Sequence, residues 1–280
     1  MTDADLTALA ATHDIITLGM QADDARRARH GLKTTFVRVA DVTAEPQQPV
    51  PVPPAAGEVR IVGVPASRQA AIERAGEVIG AAGGRPVSGF SLADLEDLAG
   101  REGVTLRALL EDLHAAGLEL VAEAPFDRLR DARRSIEEVN IAGMALARLT
   151  IDRLPAADVP SLLKEIAALQ RDVGVVRAFA PLPRRMNPAV PTTGYEDVKR
   201  VALARLSVDV PSIQVDWSLY GPKLAQVALT VGADDLDAVS PLDDMSEGRR
   251  RAPLDEVLRN IRAAGLEPVE RNGRFEPATR

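Results

Sequence analysis

Eight residues with chemically useful side chains follow predicted strands of this chain. They are Glu123, Asp127, Asp152, Arg153, Arg184, Arg185, Asp216 and Trp217. Because α/β folds place ligands at the carboxyl ends of their strands, this arrangement predicts a pocket. Glu123, Asp127 and Asp152 are the candidate catalytic residues, since carboxylates can act as general bases. The other five are candidate substrate-binding residues: arginine suits carboxylates or phosphates, and tryptophan can stack on a heterocycle. The alternative is a set of loop salt bridges and a packing tryptophan.

Metal and cofactor motifs are absent from the sequence. The chain has no cysteine, which excludes disulfides and thiolate-bound metals. Its three histidines, His13, His30 and His114, are too scattered to suggest a metal site. The glycines of 80–84 close a predicted helix instead of following a strand, which is typical of a helix C-cap and not of a dinucleotide-binding loop.

The elements that would position the eight residues alternate between strand and helix from residue 58 onward. Strands are predicted at Thr34–Val39, Glu58–Val64, Pro86–Phe90, Leu118–Ala122, Leu149–Asp152, Val175–Ala180 and Ile213–Val215. Helices are predicted at Asp3–Ala11, Gln21–His30, Arg68–Ala82, from Ser91, from Thr105 to Ala116, from Ser135 to Ala147, and at Ser161–Asp172, Tyr195–Leu206, Pro222–Val231 and Leu254–Ala264. Such alternation predicts parallel strands joined by helices, as an open doubly wound sheet or a barrel.

Domain boundaries are expected on either side of a proline-rich segment. Residues 1–44 are predicted to form N-terminal helices and a first strand, and 45–57 a linker or loop. Prolines at 46, 49, 51, 53 and 54 exclude helix or central strand there. Residues 58–280 are predicted to form an α/β unit with a C-terminal extension.

The composition limits which binding partners and which cellular location we expect. A formal net charge of −7 argues against nucleic acid, because phosphate binding needs a basic surface. No apolar stretch approaches the roughly 18 residues of a membrane span. The N-terminus is acidic where an export signal would be basic, so we expect a cytoplasmic protein.

The C-terminal third carries an ordered set of motifs. They are Ala178–Leu182, Thr193–Leu206, Ile213–Trp217, Gly221–Leu229, Gly232–Asp237 and Gly265–Arg271. In this order they resemble the radical-SAM enzymes aminofutalosine synthase and cyclic dehypoxanthine futalosine synthase of menaquinone biosynthesis, and the related deazaflavin synthase. A looser resemblance runs from residue 58, and Arg26–Val39 resembles the family's lead-in to its cluster loop. The resemblance implies a partial or full (β/α) barrel, S-adenosylmethionine and a nucleoside-type substrate.

Three departures from the family change the expected function. The cysteine loop that holds the iron–sulfur cluster is replaced by the proline-rich run after Val42. The glycines that help to bind S-adenosylmethionine are missing from Glu119–Phe126, so binding of this cofactor is no longer supported. The basic Gly248–Arg251 replaces a helix. Without cluster thiolates no adenosyl radical can form, and radical catalysis is excluded.

The leading expectation is therefore a pseudoenzyme of the futalosine pathway. It would bind a small nucleoside-type ligand, or act as an accessory protein to an active homologue. The alternatives are a new non-radical enzyme acting on a nucleoside, and a structural subunit with a filled pocket.

Overall fold

The strands of this chain close into a barrel and do not form an open sheet. The computed structural model describes residues 3–154, 159–186, 188, 192–244 and 252–278. Its strands are β1 Lys33–Thr43, β2 Glu58–Val62, β3 Val87–Ser91, β4 Leu120–Pro125, β5 Ala145–Leu146, β6 Leu149–Ile151, β7 Ala178–Pro183, β8 Ser212–Asp216, β9 Asp235–Val239 and β10 Glu267–Arg271. All pair in parallel, and β5 and β6 together occupy one position beside β4. Because β1 pairs with both β2 and β9, the eight positions close into a TIM-type α/β barrel.

The helices lie outside this barrel. They are α1 Asp3–Ala11, α2 Ile15–His30, α3 Arg68–Ala82, α4 Leu92–Glu102, α5 Leu106–Ala115, α6 Ala132–Ile141, α7 Val159–Val173, α8 Gly194–Ser207, α9 Trp217–Leu229 and α10 Pro253–Ala263. The predicted cap at Thr105 is confirmed, since its side chain accepts from the amide of Ala108. Gly83 ends α3 in the left-handed conformation, as the glycine run suggested.

Some element boundaries differ from the sequence-based prediction for local reasons. The predicted helix start at Ser135 is wrong, because Asp131 caps α6 and accepts from the amide of Arg134. Ser135 lies inside the helix, and its hydroxyl donates to Glu96. Helix α2 begins six residues before the predicted Gln21, since Asp14 caps it. Strands β9 and β10 were not predicted at all, and the C-terminal extension consists of α10 and β10.

The proline-rich segment takes the place of the usual crossover helix between β1 and β2. The segment begins at the C-terminal end of β1, where the amide of Ala44 donates to the carbonyl oxygen of Val62. It then runs back to the start of β2, where the amide of Gly57 donates to the carbonyl oxygen of Arg38. Val50 and Val52 pack against the apolar core. The first strand thus belongs to the barrel, while the proposed division at residues 44 and 57 stays a prediction.

The interior of the protein has two parts that differ in polarity. Apolar side chains fill the layer between helices and strands, whereas polar and charged side chains occupy the barrel axis. At the N-terminal end, Arg271 from β10 donates two 2.6 Å hydrogen bonds to Asp235 of β9. The ring of Phe275 lies 3.9 Å from the Arg271 guanidinium carbon. These contacts lie at the N-terminal end of the barrel, and we call the opposite, C-terminal end the mouth.

No helix in the described part of the chain is long and apolar enough to span a membrane.

Candidate functional site

The structure places the eight predicted residues at the mouth. Glu123 lies in β4, and Asp127 lies in the short 3-10 helix Phe126–Arg128 that follows it. The remaining six end or directly follow β6, β7 and β8: Asp152, Arg153, Arg184, Arg185, Asp216 and Trp217. Whether any of them is catalytic or binds a substrate stays a prediction.

Arg184 joins two of the predicted carboxylates across neighbouring strands. Its Nε lies 3.3 Å from Oε2 of Glu123, and its Nη1 donates to Oδ2 of Asp216. Asp216 also accepts from the amide of Leu219 at 2.9 Å and so caps α9. Burial lowers the pKa of Arg184, but the two carboxylates outweigh it and raise the pKa overall. The guanidinium is thus held by protein groups on both sides.

Asp127, Asp152 and Arg185 form a second set of mutual contacts. The carboxylate of Asp127 accepts from the backbone amides of Asp152 at 2.6 Å and Arg153 at 2.8 Å. Arg185 donates hydrogen bonds from Nε and Nη2 to the two carboxylate oxygens of Asp152, and the bond from Nε is 2.7 Å long. These bonds with Asp152 raise the pKa of Arg185. Since a carboxylate held in such a fork is a poor general base, this geometry favours loop salt bridges over catalysis.

The barrel axis holds a buried ion-pair cluster that the sequence analysis missed. We define the axial cluster as Glu58, Arg60, Arg148 and Asp237. Arg60 donates to both oxygens of Asp237 at 3.1 and 2.8 Å, and to Glu58 at 3.0 Å. Arg148 reaches the same Asp237 at 2.8 Å. Burial would raise the pKa of Asp237, but Arg148 and Arg60 outweigh it and hold the pKa far below its usual value.

One sequence signal could have found this cluster. Charged residues at alternate positions of otherwise apolar strands, such as Glu58 and Arg60, are typical of side chains that face a polar barrel axis. The pairing itself is not readable, because Arg60 and Asp237 are 177 residues apart.

A cavity of about 470 Å³ opens at the mouth between β1, β8 and β9. Trp217 lines it, together with Asp41 and Glu256, neither of which the sequence analysis singled out. Arg184 lines a smaller cavity of about 230 Å³ beside Tyr220. The larger volume lies within the range of small-molecule sites.

The iron–sulfur cluster implied by the fold does not fit this chain. Such clusters are held by thiolates, and neither the β1–β2 connection nor any other part of the 280 residues contains a cysteine. Within the described ranges, no group of three or more His, Asp or Glu side chains could hold a metal ion instead. Residues Gly248–Arg251, the third departure from the family, lie outside the described residues.

Comparison with known sequences confirms the predicted resemblance. No model of a known protein family matches the chain. A 5-amino-6-(D-ribitylamino)uracil–L-tyrosine 4-hydroxyphenyl transferase of Methanosphaerula palustris is 31% identical over 177 residues, 54% of this chain and 48% of that protein. Aminodeoxyfutalosine synthase of Thermus thermophilus is 33% identical over 85 residues, 27% and 23% of the two chains. Cyclic dehypoxanthine futalosine synthase of Streptomyces coelicolor is 25% identical over 176 residues, 55% and 44%.

The chain spans about half the length of the first two curated relatives that it matches. Among solved structures, methylornithine synthase superposes with a TM-score of 0.67 over 95% of this chain and 94% of that one, at 12% identity. At that identity the likeness concerns the fold alone. The chain is therefore a radical-SAM-like α/β barrel, with homologues among enzymes of the futalosine pathway and without the cluster ligands.

Proposed function

We propose that this protein is a cluster-free pseudoenzyme that binds a small nucleoside-type ligand at the barrel mouth. It would serve the futalosine route to menaquinone, in the cytoplasm, as a ligand-binding or accessory protein. The observation that carries the proposal is the combination of a radical-SAM-like barrel with a complete lack of cysteine. Electrons could not be delivered to S-adenosylmethionine without a cluster, so radical chemistry has no starting point.

The mouth cavity supports ligand binding over a purely structural role. At about 470 Å³ it can hold a nucleoside. Trp217 lines the cavity with the 7% of its surface that is not buried in the apolar core. The predicted general bases, in contrast, are held by arginines or by backbone amides. Binding therefore fits the contacts better than catalysis by Asp127 or Asp152.

Thermal unfolding with four candidate ligands tests the proposal. The purified protein is heated alone and with aminodeoxyfutalosine, dehypoxanthine futalosine, S-adenosylmethionine or 5′-deoxyadenosine. A ligand present at 100 times its Kd stabilises the native state by about 2.7 kcal/mol, which should raise Tm by about 5 °C. An unchanged Tm with all four would contradict the proposal. Stable co-purification with a homologue would then favour a structural subunit.

Two further measurements test for a retained cluster and for turnover. Protein purified without oxygen should be colourless and contain no iron; stoichiometric iron with reductive cleavage of S-adenosylmethionine would overturn the cluster-free assignment. Turnover of a nucleoside without iron or reductant, lost in Asp152→Asn, would replace the binding proposal by a non-radical enzyme.

A further inference from the structure

The mouth cavity has a distinct chemical character. Its lining contains two carboxylates, Asp41 from β1 and Glu256 from α10, and the aromatic side chain of Trp217. None of the described lining residues is a lysine, arginine or histidine. The two carboxylates of this described lining favour a cationic ligand over an anionic one.

The axial cluster is balanced in charge without Asp41. Two guanidiniums, Arg60 and Arg148, face two carboxylates, Glu58 and Asp237, so the four groups balance. Asp41 lies within electrostatic range of all four of these groups. With Asp41 added, these five groups comprise three carboxylates and two guanidiniums.

The nearest register partner of Asp41 attracts its carboxylate through charge but forms no hydrogen bond or ion pair with it. Arg60 lies directly across from Asp41 on β2. Its Nε donates a hydrogen bond to Glu58, and both of its terminal nitrogens donate to Asp237. No hydrogen bond or ion pair to the Asp41 side chain is formed within the described part of the chain. Asp41 is exposed to solvent at the mouth. Partial burial of its carboxyl group nevertheless raises its pKa, as expected of a carboxylate that has no hydrogen-bond partner.

The backbone beside Asp41 is also unusual. Ala238 on β9 lines the same cavity and has a φ of 56°, in the left-handed region that non-glycine residues seldom adopt. It lies between Asp237 of the axial cluster and the fully buried Val239. Such conformations are found where the surrounding structure holds them in place, and they are common at ligand sites.

We propose that the mouth cavity selects nucleoside-type ligands that carry a protonated amine, with Asp41 and Glu256 facing the ammonium group and Trp217 contacting the ring. This inference rests on the proposed function and narrows it to one charge class.

Three adenosine derivatives that differ at one position separate the charge effect from nucleoside binding itself. They are 5′-amino-5′-deoxyadenosine, 5′-deoxyadenosine and adenosine 5′-monophosphate, which carry a cation, no charge and an anion. An alkyl amine is protonated at pH 7, as a lysine side chain is. By calorimetry at low salt, the amine should bind about ten-fold more tightly than the neutral compound, and the phosphate should bind most weakly. The advantage should shrink as salt screens the charges.

Two variants locate the effect. Asp41→Asn should reduce the advantage of the amine over 5′-deoxyadenosine, with both compounds measured on the variant, to within about two-fold, because the charge that favours the amine is removed. The matched control is Asp255→Asn, which removes an exposed carboxylate from the first turn of α10 beside Glu256 but does not line the cavity. The control should keep the full advantage.

The outcomes distinguish this inference from the proposed function. Equal binding of the charged and neutral compounds, or a full advantage retained in Asp41→Asn, overturns the charge selection and leaves nucleoside binding intact. Binding of none of the three derivatives, together with no thermal shift from the four nucleosides above, overturns both. Tightest binding of the phosphate overturns the inference by reversing its sign.

Discussion

The two sides of the barrel mouth differ in how their charges are used. On the side of β4, β6 and β7, the charged side chains bind one another: Arg184 joins Glu123 to Asp216, and Arg185 holds Asp152. On the side of β1 and β9, Asp41 lines a cavity and forms no hydrogen bond or ion pair with a described residue, although Arg60 lies across from it on β2. The first arrangement stabilises loops and leaves little for a ligand to gain. The second offers a ligand an interaction that the protein itself does not complete, so the proposed function places the ligand on this side.

Of the predicted changes, removal of Asp237 should lower the stability most, because this residue is at the centre of the axial cluster. Asp237→Asn leaves Arg60 and Arg148 buried with much less compensation, and a broken buried pair costs about 3–5 kcal/mol. Urea denaturation monitored by circular dichroism measures the loss. Asp243→Asn is the control: its pair with Arg38 is 3.5 Å long and partly exposed, so we expect a loss below about 1 kcal/mol. A similarly small loss for Asp237→Asn would show that the axis is open to solvent.

Arg184→Gln should have an intermediate effect and tests the paired side directly. The side chain is 26% exposed and bridges two carboxylates, so its loss should cost about 1–2 kcal/mol of stability. The preference for the amine-bearing nucleoside should be unchanged, since the guanidinium lies outside the larger cavity. Calorimetry on the folded variant decides this point. Loss of nucleoside binding would instead place the site on the side that the sequence analysis favoured.

Asp41→Asn should have the smallest effect on stability, and the size of the effect should depend on pH. The pKa of Asp41 is raised in the folded state, so the folded protein holds this proton more tightly than the unfolded chain. Stability therefore falls as the pH rises above the ordinary carboxyl value of about 4. The asparagine variant lacks this loss and should be more stable at pH 7 by less than about 1 kcal/mol, because solvent at the mouth screens the charge.

Thermal unfolding at pH 3.5 and pH 7 measures this difference. The gain in Tm of the asparagine variant over the parent protein should be larger at pH 7 than at pH 3.5. The exposed control Asp255→Asn should change stability by less than about 0.5 kcal/mol at both values. A gain that is the same at both pH values would mean that the Asp41 carboxylate is compensated.

Much of the helical layer was predictable because its signals are local. Helix α3 was predicted at Arg68–Ala82 and is found there, between its cap at Ser67 and the left-handed Gly83. Thr193 and Glu196 form a reciprocal capping box at the start of α8. Where the prediction failed, a competing local signal was stronger: Asp131 caps α6, and the helix has already begun when the chain reaches Ser135.

The strands were harder to predict because their interior faces are charged. Strand β9 contains Asp235 and Asp237, and β10 ends in Arg271, so neither resembles the apolar run expected of a buried strand. These charges are tolerated because each finds its partner on another strand across the axis. A pattern read along the chain contains no information about such partners.

The sequence by itself determined what chemistry is absent. With no cysteine anywhere in 280 residues, an iron–sulfur cluster has no thiolate ligands, and this conclusion needs no coordinates. It also determined the strand–helix alternation and most helix ends, which depend on neighbours a few residues away. Only the tertiary structure decided that the sheet closes and which charges are paired. The reason is physical: the electrostatic energy of Asp41 depends on Arg60 and Asp237, which barrel closure brings together from opposite ends of the chain.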